Sequence, residues 1–330
     1  MEPDSPKIVD FKEHVRLRPK MYIGNDNIIG LIKGLIIDCF CLCKTDKIKF
    51  EISLLSENKF SIKISSKFDI TPFILAFTEI NIKYPNYFPS VLYVIANDLV
   101  IDDHSSTQKL ISFSIDKSVI EDTNVDYLKL DEEIFQIALL NRNSIIITID
   151  KRRKYVSRNC YHFPEGILYL FRRAIDAAIG TPVIQLIFDG CLNSHEYQIA
   201  LAYRTDWFPQ ALIGSFANEV QTICGGSLVD GIIDGLLQAC KKFAKERNLA
   251  SVKIKRKKIF NELILICAVK GDGFIFGGSW KETLENDEVK KEAKQISENL
   301  VLEFFRNHDD IAKDFLTRFD TSDQLNILYR

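Results

Sequence analysis

Residues 28–43, IIGLIKGLIIDCFCLC, are apolar almost throughout, broken only by Lys33 and Asp38. The run is too short and too charged for a membrane span and predicts a buried helix. KIKFEISLL and KFSIKISS alternate with period two on either side of SEN, which predicts a β-hairpin. PSVLYVIANDLV (89–100) predicts a short apolar helix. KLISFSID (109–116), VDYLKL (125–130) and SIIITID (144–150) predict strands, so the first half reads as α+β with a sheet of antiparallel type. A basic run, KRRKYVSR (151–158), then marks a domain boundary. Beyond it come a helix near 165–179, the strands PVIQLIFD and EYQIALAYR, and a strand ending near Ala217. GGSLVDGIIDGLLQACKKFAKERN opens on glycines and places Ile232, Leu236, Ala239, Cys240 and Phe243 on one helical face. NELILICAVK predicts a buried strand and NDEVKKEAKQISENLVLEFFRN a final amphipathic helix. The second half is a β-β-α-β-α type unit whose helices are expected to cover one face of a sheet.

The length of 330 residues supports two such domains, each with its own core. With 46% hydrophobic and 27% charged residues the chain is globular rather than disordered. A net charge of −2 supplies no global attraction to nucleic acid or membranes. The opening MEPDSPKIVDFKEH is acidic and polar with no apolar signal region, so a cytoplasmic protein with reduced thiols is expected.

Three of the eight cysteines fall in DCFCLC. On a helix, Cys39 and Cys43 share a face and Cys41 points away, which is the wrong geometry for tetrahedral zinc. No C-x-x-C pair occurs, and inert buried thiols are the favoured reading. His162, His195 and His308 have no partners at a recognisable catalytic spacing. GDGFIFGG (271–278) is not followed by Gly-Lys-Ser/Thr and is not a P-loop. Two basic patches, one with Lys151, Arg152 and Arg153 and one with Lys255, Arg256 and Lys257, read as a solvated linker and turn. The alternative is contact with a nucleic-acid backbone, although interleaved aromatics are sparse.

VRLRPKMYIG (15–24), followed at a fixed distance by Gly30-Leu31, resembles the opening motif of DNA gyrase B and of the corresponding ATPase chain of topoisomerase IV. YHFPEGILYLF (161–171), the segment 196–236 around Gly225-Gly226, and FIFGGSWKETLENDEVKK (274–291) resemble later family segments in the same order. The resemblance runs from about residue 7 to about 310 and is weakest between 60 and 145. It implies a Bergerat (GHKL)-like α/β sandwich followed by a ribosomal-protein-like β-α transducer domain. On that basis 1–14 is an N-terminal arm, 15–158 a degenerate ATPase-like domain, 159–315 a transducer-like domain and 316–330 a tail. The chain then leaves no room for the metal domain associated with DNA cleavage.

What the resemblance implies about chemistry is mostly loss. The position of the family's general-base glutamate is Ile37, and that of its Mg²⁺-holding asparagine, one turn later, is Cys41. The histidine that supports the base is Lys33. A one-residue slip brings Asp38 to the base position but Leu42 to the metal position. The adenine-binding aspartate has a displaced counterpart in Asp69, in a stretch without glycine. Tyr87, Phe88 and Pro89 stand where glycine amides wrap the phosphates in the family. Lys281 aligns with the lysine that reaches the γ-phosphate, and the neighbouring glutamine is replaced by Ser279. The expectation is a pseudo-ATPase with no cofactor, binding a protein partner as a regulatory module, with a decoy or immunity-type role within that class. Any homodimer is expected to be independent of ATP, because the arm has no tyrosine to reach a partner's nucleotide. One alternative is a dimerising module that still binds ATP and Mg²⁺, and another is a nucleic-acid-binding module.

Overall fold

The computed structural model describes residues 10–24, 28–67, 69–77, 87–177, 184–203, 211–249, 253–278 and 281–320. In the first half, α1 (Phe11–Leu17) and α2 (Pro19–Ile23) lead into α3 (Ile28–Cys43). β1 (Ile48–Ser56) and β2 (Lys59–Ser66) form the expected hairpin, from Ile48 opposite Ser66 to Ser56 opposite Lys59, with an irregularity between Leu54 and Ser56. α4 (Thr71–Leu75), α5 (Tyr87–Ile95), β3 (Ala96–Ser105), β4 (Gln108–Ile115), α6 (Tyr127–Leu140), β5 (Ile145–Asp150) and β6 (Ser157–Tyr161) complete this unit.

The sheet order is β3-β4-β2-β1-β5-β6. Period-two alternation turns Phe50, Ile52, Phe60, Ile62, Ile111 and Phe113 toward one core, which the buried face of α3 also joins. The sheet is mixed, not purely antiparallel, because β1 and β5 run parallel, Phe50 opposite Ile146. Two element assignments change. The apolar helix expected over 89–100 stops at Ile95, and the chain passes directly into β3. The strand expected at 125–130 is the first turn of α6. Asp126 caps it, its carboxylate accepting the Leu128 N–H at 2.9 Å, and Leu130, Ile134, Ile137 and Ala138 form the buried stripe.

The second half comprises α7 (Leu168–Asp176), β7 (Ile184–Leu192), β8 (His195–Tyr203), β9 (Leu212–Ala217), β10 (Val220–Gln221), α8 (Ser227–Glu246), α9 (Arg256–Asn261), β11 (Leu263–Lys270), β12 (Phe276–Gly277), β13 (Thr283–Leu284), α10 (Asp287–Asn307) and α11 (Asp309–Phe319). Its main sheet has the order β10-β9-β11-β8-β7. Tyr197, Ile199, Leu201 and Tyr203 of β8 share a core with α8, α10 and α11. The intervening Gln198 faces the other way, and its side-chain oxygen accepts the Ile167 N–H where α7 begins. α7 packs against β8 and β11, so helices cover both faces of this sheet rather than one. α8 and α10 pack along each other, and Gly231 and Gly235 permit it: a Cβ on either would lie 2.4 Å and 2.2 Å from the Lys290 and Lys294 carbonyl oxygens.

The chain divides into two compact units at Gly166/Ile167, eight residues beyond the expected boundary. The reason is β6, which pairs antiparallel with β5 and so belongs to the first sheet. The helix ending near residue 307 is not the last. α11 follows it and buries Phe315, Leu316 and Phe319, so residues 316–319 are core and not tail. Of the expected N-terminal arm, residues 1–9 lie outside the described residues, and Phe11 to His14 form most of α1. No helix among the described residues is long and apolar enough to cross a membrane.

Candidate functional site

α3 presents two different faces. Lys33, Ile37 and Cys41, spaced four apart, form a half-buried stripe. Lys33 forms an ion pair with Glu133 of α6, a structural contact. Ile37 packs against the core as a partly buried hydrophobe and brings no acid–base group. Cys41 brings a thiol, and neither side chain can supply carboxylate or amide oxygens to a hard cation. Among the described residues no group of three or more His, Cys, Asp or Glu is placed to hold a metal ion.

The adjacent face carries Gly34 and Asp38 and meets the start of α5. A Cβ at Gly34 would lie 2.4 Å from carbons of the Phe88 ring, so only glycine lets the ring sit there. One turn on, Asp38 is fully buried. Its Oδ2 accepts the Phe88 N–H at 2.9 Å, and the Tyr87 backbone N–H also supports the carboxylate. Its Oδ1 has no hydrogen-bond partner. Burial pushes the Asp38 carboxyl up to about 7, opposed in part by those two amides. The leading amides of α5, which carry the positive end of a helix dipole, are thus directed at an internal carboxylate.

Aromatic packing closes the same region. Tyr87 stacks on Tyr22 with ring centroids 5.8 Å apart and meets Phe88 edge-on at 5.2 Å. Tyr22 in turn meets Phe11 edge-on and hydrogen-bonds His14. Arg16 donates to the Val94 carbonyl near the far end of α5 at 3.3 Å and to Asp116 at 2.7 Å. The segment 15–24 therefore clamps α5 at both ends. Among the described residues, an aromatic ring and a carboxylate occupy the start of α5, and Ile37 and Cys41 of α3 bring no carboxylate or amide oxygen.

Asp69 is exposed and accepts the Thr71 N–H at 2.9 Å. The Thr71 hydroxyl and amide hold its carboxyl below the usual range, with a smaller contribution from Lys109. Lys109 is buried, opposite Ile64 on the core face of β4. The sequence signal for it was present: Lys109 continues the alternating series Ile111, Phe113, Ile115. Asp38 was visible in the sequence as an interruption of an apolar run and as the residue one slip away from the base position, but its contact with α5 depends on the tertiary fold.

Of the remaining candidates, the first basic patch belongs to the first unit, and Lys281 and the second patch belong to the second. Lys281 has a left-handed backbone, φ 58°, and its Nζ lies 5.3 Å from the Phe276 ring centroid; Ser279 lies outside the described residues. Arg152 makes a paired contact with Asp150, through Nε and a terminal nitrogen, at 2.8 Å each, and also donates to the Val125 carbonyl. Arg256 bonds Asp230 and Asp234 of α8. Lys151, Arg153, Lys255 and Lys257 are exposed. Each patch thus has its central arginine committed to carboxylates of its own chain.

The histidines also gain partners that spacing did not indicate. His162 Nδ1 lies 2.9 Å from the Ser144 carbonyl oxygen, and His308 stacks on Phe304. His195 Nδ1 lies 2.9 Å from Glu292 Oε2, a buried carboxylate 97 residues away. Tyr197 donates to the same oxygen at 2.6 Å and Asn193 to Oε1 at 2.5 Å. Burial pushes the Glu292 carboxyl up, but the three hydrogen bonds and His195 outweigh it and hold the group below its ordinary range. No nucleophile joins this cluster among the described residues, and its evident role is to tie α10 to β8.

Comparison with known proteins places the geometry. The DNA gyrase B family model matches residues 171–325. The DNA gyrase B chain of Streptococcus pneumoniae is 25% identical over 228 residues, covering 67% of this chain and 34% of that protein. The chain spans about a third of the length of this curated relative. Two solved structures share the fold across nearly the whole chain. The topoisomerase IV ATP-binding domain of Francisella tularensis, in complex with a small-molecule inhibitor, has a TM-score of 0.74 at 19% identity and covers 96% of this chain and 97% of that one. The gyrase B chain of Myxococcus xanthus has a TM-score of 0.75 at 18% identity and covers 93% and 99%. The chain is thus similar, partially and divergently, to the N-terminal region of gyrase B and topoisomerase IV.

Proposed function

We propose that this gyrase-B-like ATPase and transducer module no longer turns over ATP and acts by binding a protein partner. The observation that carries this reading is the contact between α3 and α5: the Phe88 ring lies on Gly34 and the Phe88 amide on Asp38. Amides directed at a buried carboxylate are not offered to a phosphate, and a second anion beside an ionised Asp38 would be repelled. The chemistry fails independently. A general base is worth about 10²–10⁴ in rate, and Ile37 offers none. Cys41 has no hard oxygen for Mg²⁺, which removes a further electrostatic contribution to phosphoryl transfer.

What supports a binding role is that both units stay well packed although the first carries a site of this kind. Each unit keeps a continuous apolar core, so the fold is maintained without the ligand chemistry. Isothermal calorimetry with ATP and Mg²⁺ tests the proposal. The expected result is no binding heat up to millimolar nucleotide. A micromolar Kd would overturn it.

A further inference from the structure

Among the described residues β6 is an edge strand of the first sheet. It pairs with β5 alone, from Ser157 opposite Asp150 to Tyr161 opposite Ile146. In such a pair alternate residues turn their N–H and C=O to the neighbour, and the others turn theirs outward. Ser157 to Cys160 are exposed, so the outward main-chain groups are open to solvent. The turn that leads into β6, residues 151–156, is fixed at its start. The Lys151 N–H donates to the Leu54 carbonyl at 2.9 Å, and Arg152 is held by Asp150 and the Val125 carbonyl. The rest of the turn is presented to solvent. Tyr155 is 81% exposed and Val156 58%, and the Lys154 Nζ lies 5.8 Å from the Tyr155 ring centroid. Lys151, Arg153, Lys154 and Arg158 are exposed as well, and among the described residues none of the four makes an ion pair. An open strand edge, four unpaired cations and an exposed aromatic thus lie on one hairpin.

We propose that β6 and the 151–156 turn are the docking edge for the protein partner, and that the partner supplies an extended acidic segment that adds to β6 as a further strand. This rests on the protein-binding role proposed above and not on the state of the nucleotide site. Main-chain hydrogen bonds to the outward groups of β6 hold the segment in place, and alternate side chains select it. Asn159 and Tyr161 turn toward Asp131 of α6, so Arg158 and Cys160 lie on the opposite face. Carboxylates at alternate positions of the added strand pair with Arg158 there, and with Arg153 and Lys154 where the strand passes the turn. Tyr155 and Val156 cover apolar parts of the same segment. The charge argues against a second copy of this chain, which would set the same four cations against their like. Cations on an edge strand guard against such self-pairing, and they turn from a guard into an attraction when the incoming strand is acidic. Nucleic acid is disfavoured because phosphates would use the cations and leave the strand edge empty, and the net charge of −2 adds no attraction.

The test is fluorescence anisotropy of the full chain with a short labelled peptide of alternating Glu and Val. Micromolar binding is expected, weakening about tenfold between about 0.05 M and about 0.3 M salt as the charges are screened. The same peptide with its backbone amides methylated keeps its charge but donates no hydrogen bond, and it should bind at least about tenfold more weakly. Hydrogen exchange followed by mass spectrometry should show the Glu-Val peptide slowing the amides of residues 157–161. Arg153→Glu combined with Lys154→Glu should abolish binding and leave the thermal unfolding midpoint unchanged, since both side chains are exposed and unpaired. No binding of the Glu-Val peptide, equal binding of the methylated one, or tighter binding of a poly-dT oligonucleotide of equal charge overturns the proposal. None of these three comparisons needs a variant. They are also independent of the ATP calorimetry: micromolar nucleotide binding would remove the reading of a lost ATPase and leave the docking edge standing, and failure of the peptide would do the reverse.

Discussion

Asp38 is a buried carboxyl raised by desolvation, which is the reverse of the usual aspartate and has a definite consequence for stability. Its ordinary value is 3.8 and its folded value about 7. Between those limits the unfolded chain has lost the proton that the native chain still holds. Stability contributed at this site is therefore greatest below about pH 4, falls as pH rises to about 7 and is level above it. Asp38→Asn keeps an acceptor for the Phe88 N–H and removes the titration. Urea unfolding midpoints measured from pH 4 to 8 should lose this falling limb in the variant. Glu292 has the opposite sign. Its folded value is depressed, so its contribution is present above its ordinary value of 4.5 and fades as pH falls through the folded one. Glu292→Gln turns an acceptor-only group into one that also donates toward Asn193, His195 or Tyr197. The expected cost is about 2–4 kcal/mol at pH 7 by denaturant unfolding. Neither network was legible in the sequence. A residue 97 positions from its partner carries no local signature, and Asp38 differs from a helix-breaking interruption only through its contact with Tyr87 and Phe88.

Elements were legible where periodicity extended over the whole element. The β1–β2 hairpin and the long helices α8 and α10 follow the chain's own alternation and apolar stripes. The segment VDYLKL misled because six residues are too few to separate a strand from one and a half turns of helix; extending the window to Leu140 reveals the Leu130, Ile134, Ile137, Ala138 stripe. The parallel pairing of β1 with β5 was beyond reach, since alternation specifies which face is buried and not which direction the neighbour runs. α8 shows a third case, in which glycines inside a helical pattern mark close packing. Gly231 and Gly235 face α10 four residues apart, and the contacting atoms are backbone carbonyls that cannot rotate aside. Alanine at Gly235 gains about 1 kcal/mol of helix propensity. Forcing α10 away costs about 1–3 kcal/mol or more, because the atom met at 2.2 Å is main chain. The packing term should win, and Gly235→Ala is expected to lower the midpoint of thermal unfolding followed by circular dichroism.

At the scale of the molecule, the sequence indicated two domains and the order of their parts, but a basic run proved a poor guide to the boundary. KRRK looks like a linker because it is charged, yet the chain after it returns to the first sheet. Ser157–Tyr161 pair with β5 from Asp150 to Ile146. Asn159 donates to Asp131 of α6 at 2.7 Å, and Tyr161 hydrogen-bonds the same carboxylate. Phe163 meets Phe135 of α6 edge-on with centroids 5.0 Å apart. Residues 159–166 thus supply three of the five residues of the outer strand and cover α6, and a cut at 158 removes the contacts of Asn159, Tyr161 and Phe163. A fragment ending at Gly166 should therefore unfold cooperatively, while one ending at Arg158 should be less stable by several kcal/mol. That figure follows from exposing Tyr161 and Phe163 and from leaving Asp131 with fewer donors. Chemical denaturation of the two fragments under identical conditions makes the comparison. Equal midpoints would mean that β6 adds nothing to the first unit and that the boundary belongs at the basic run after all.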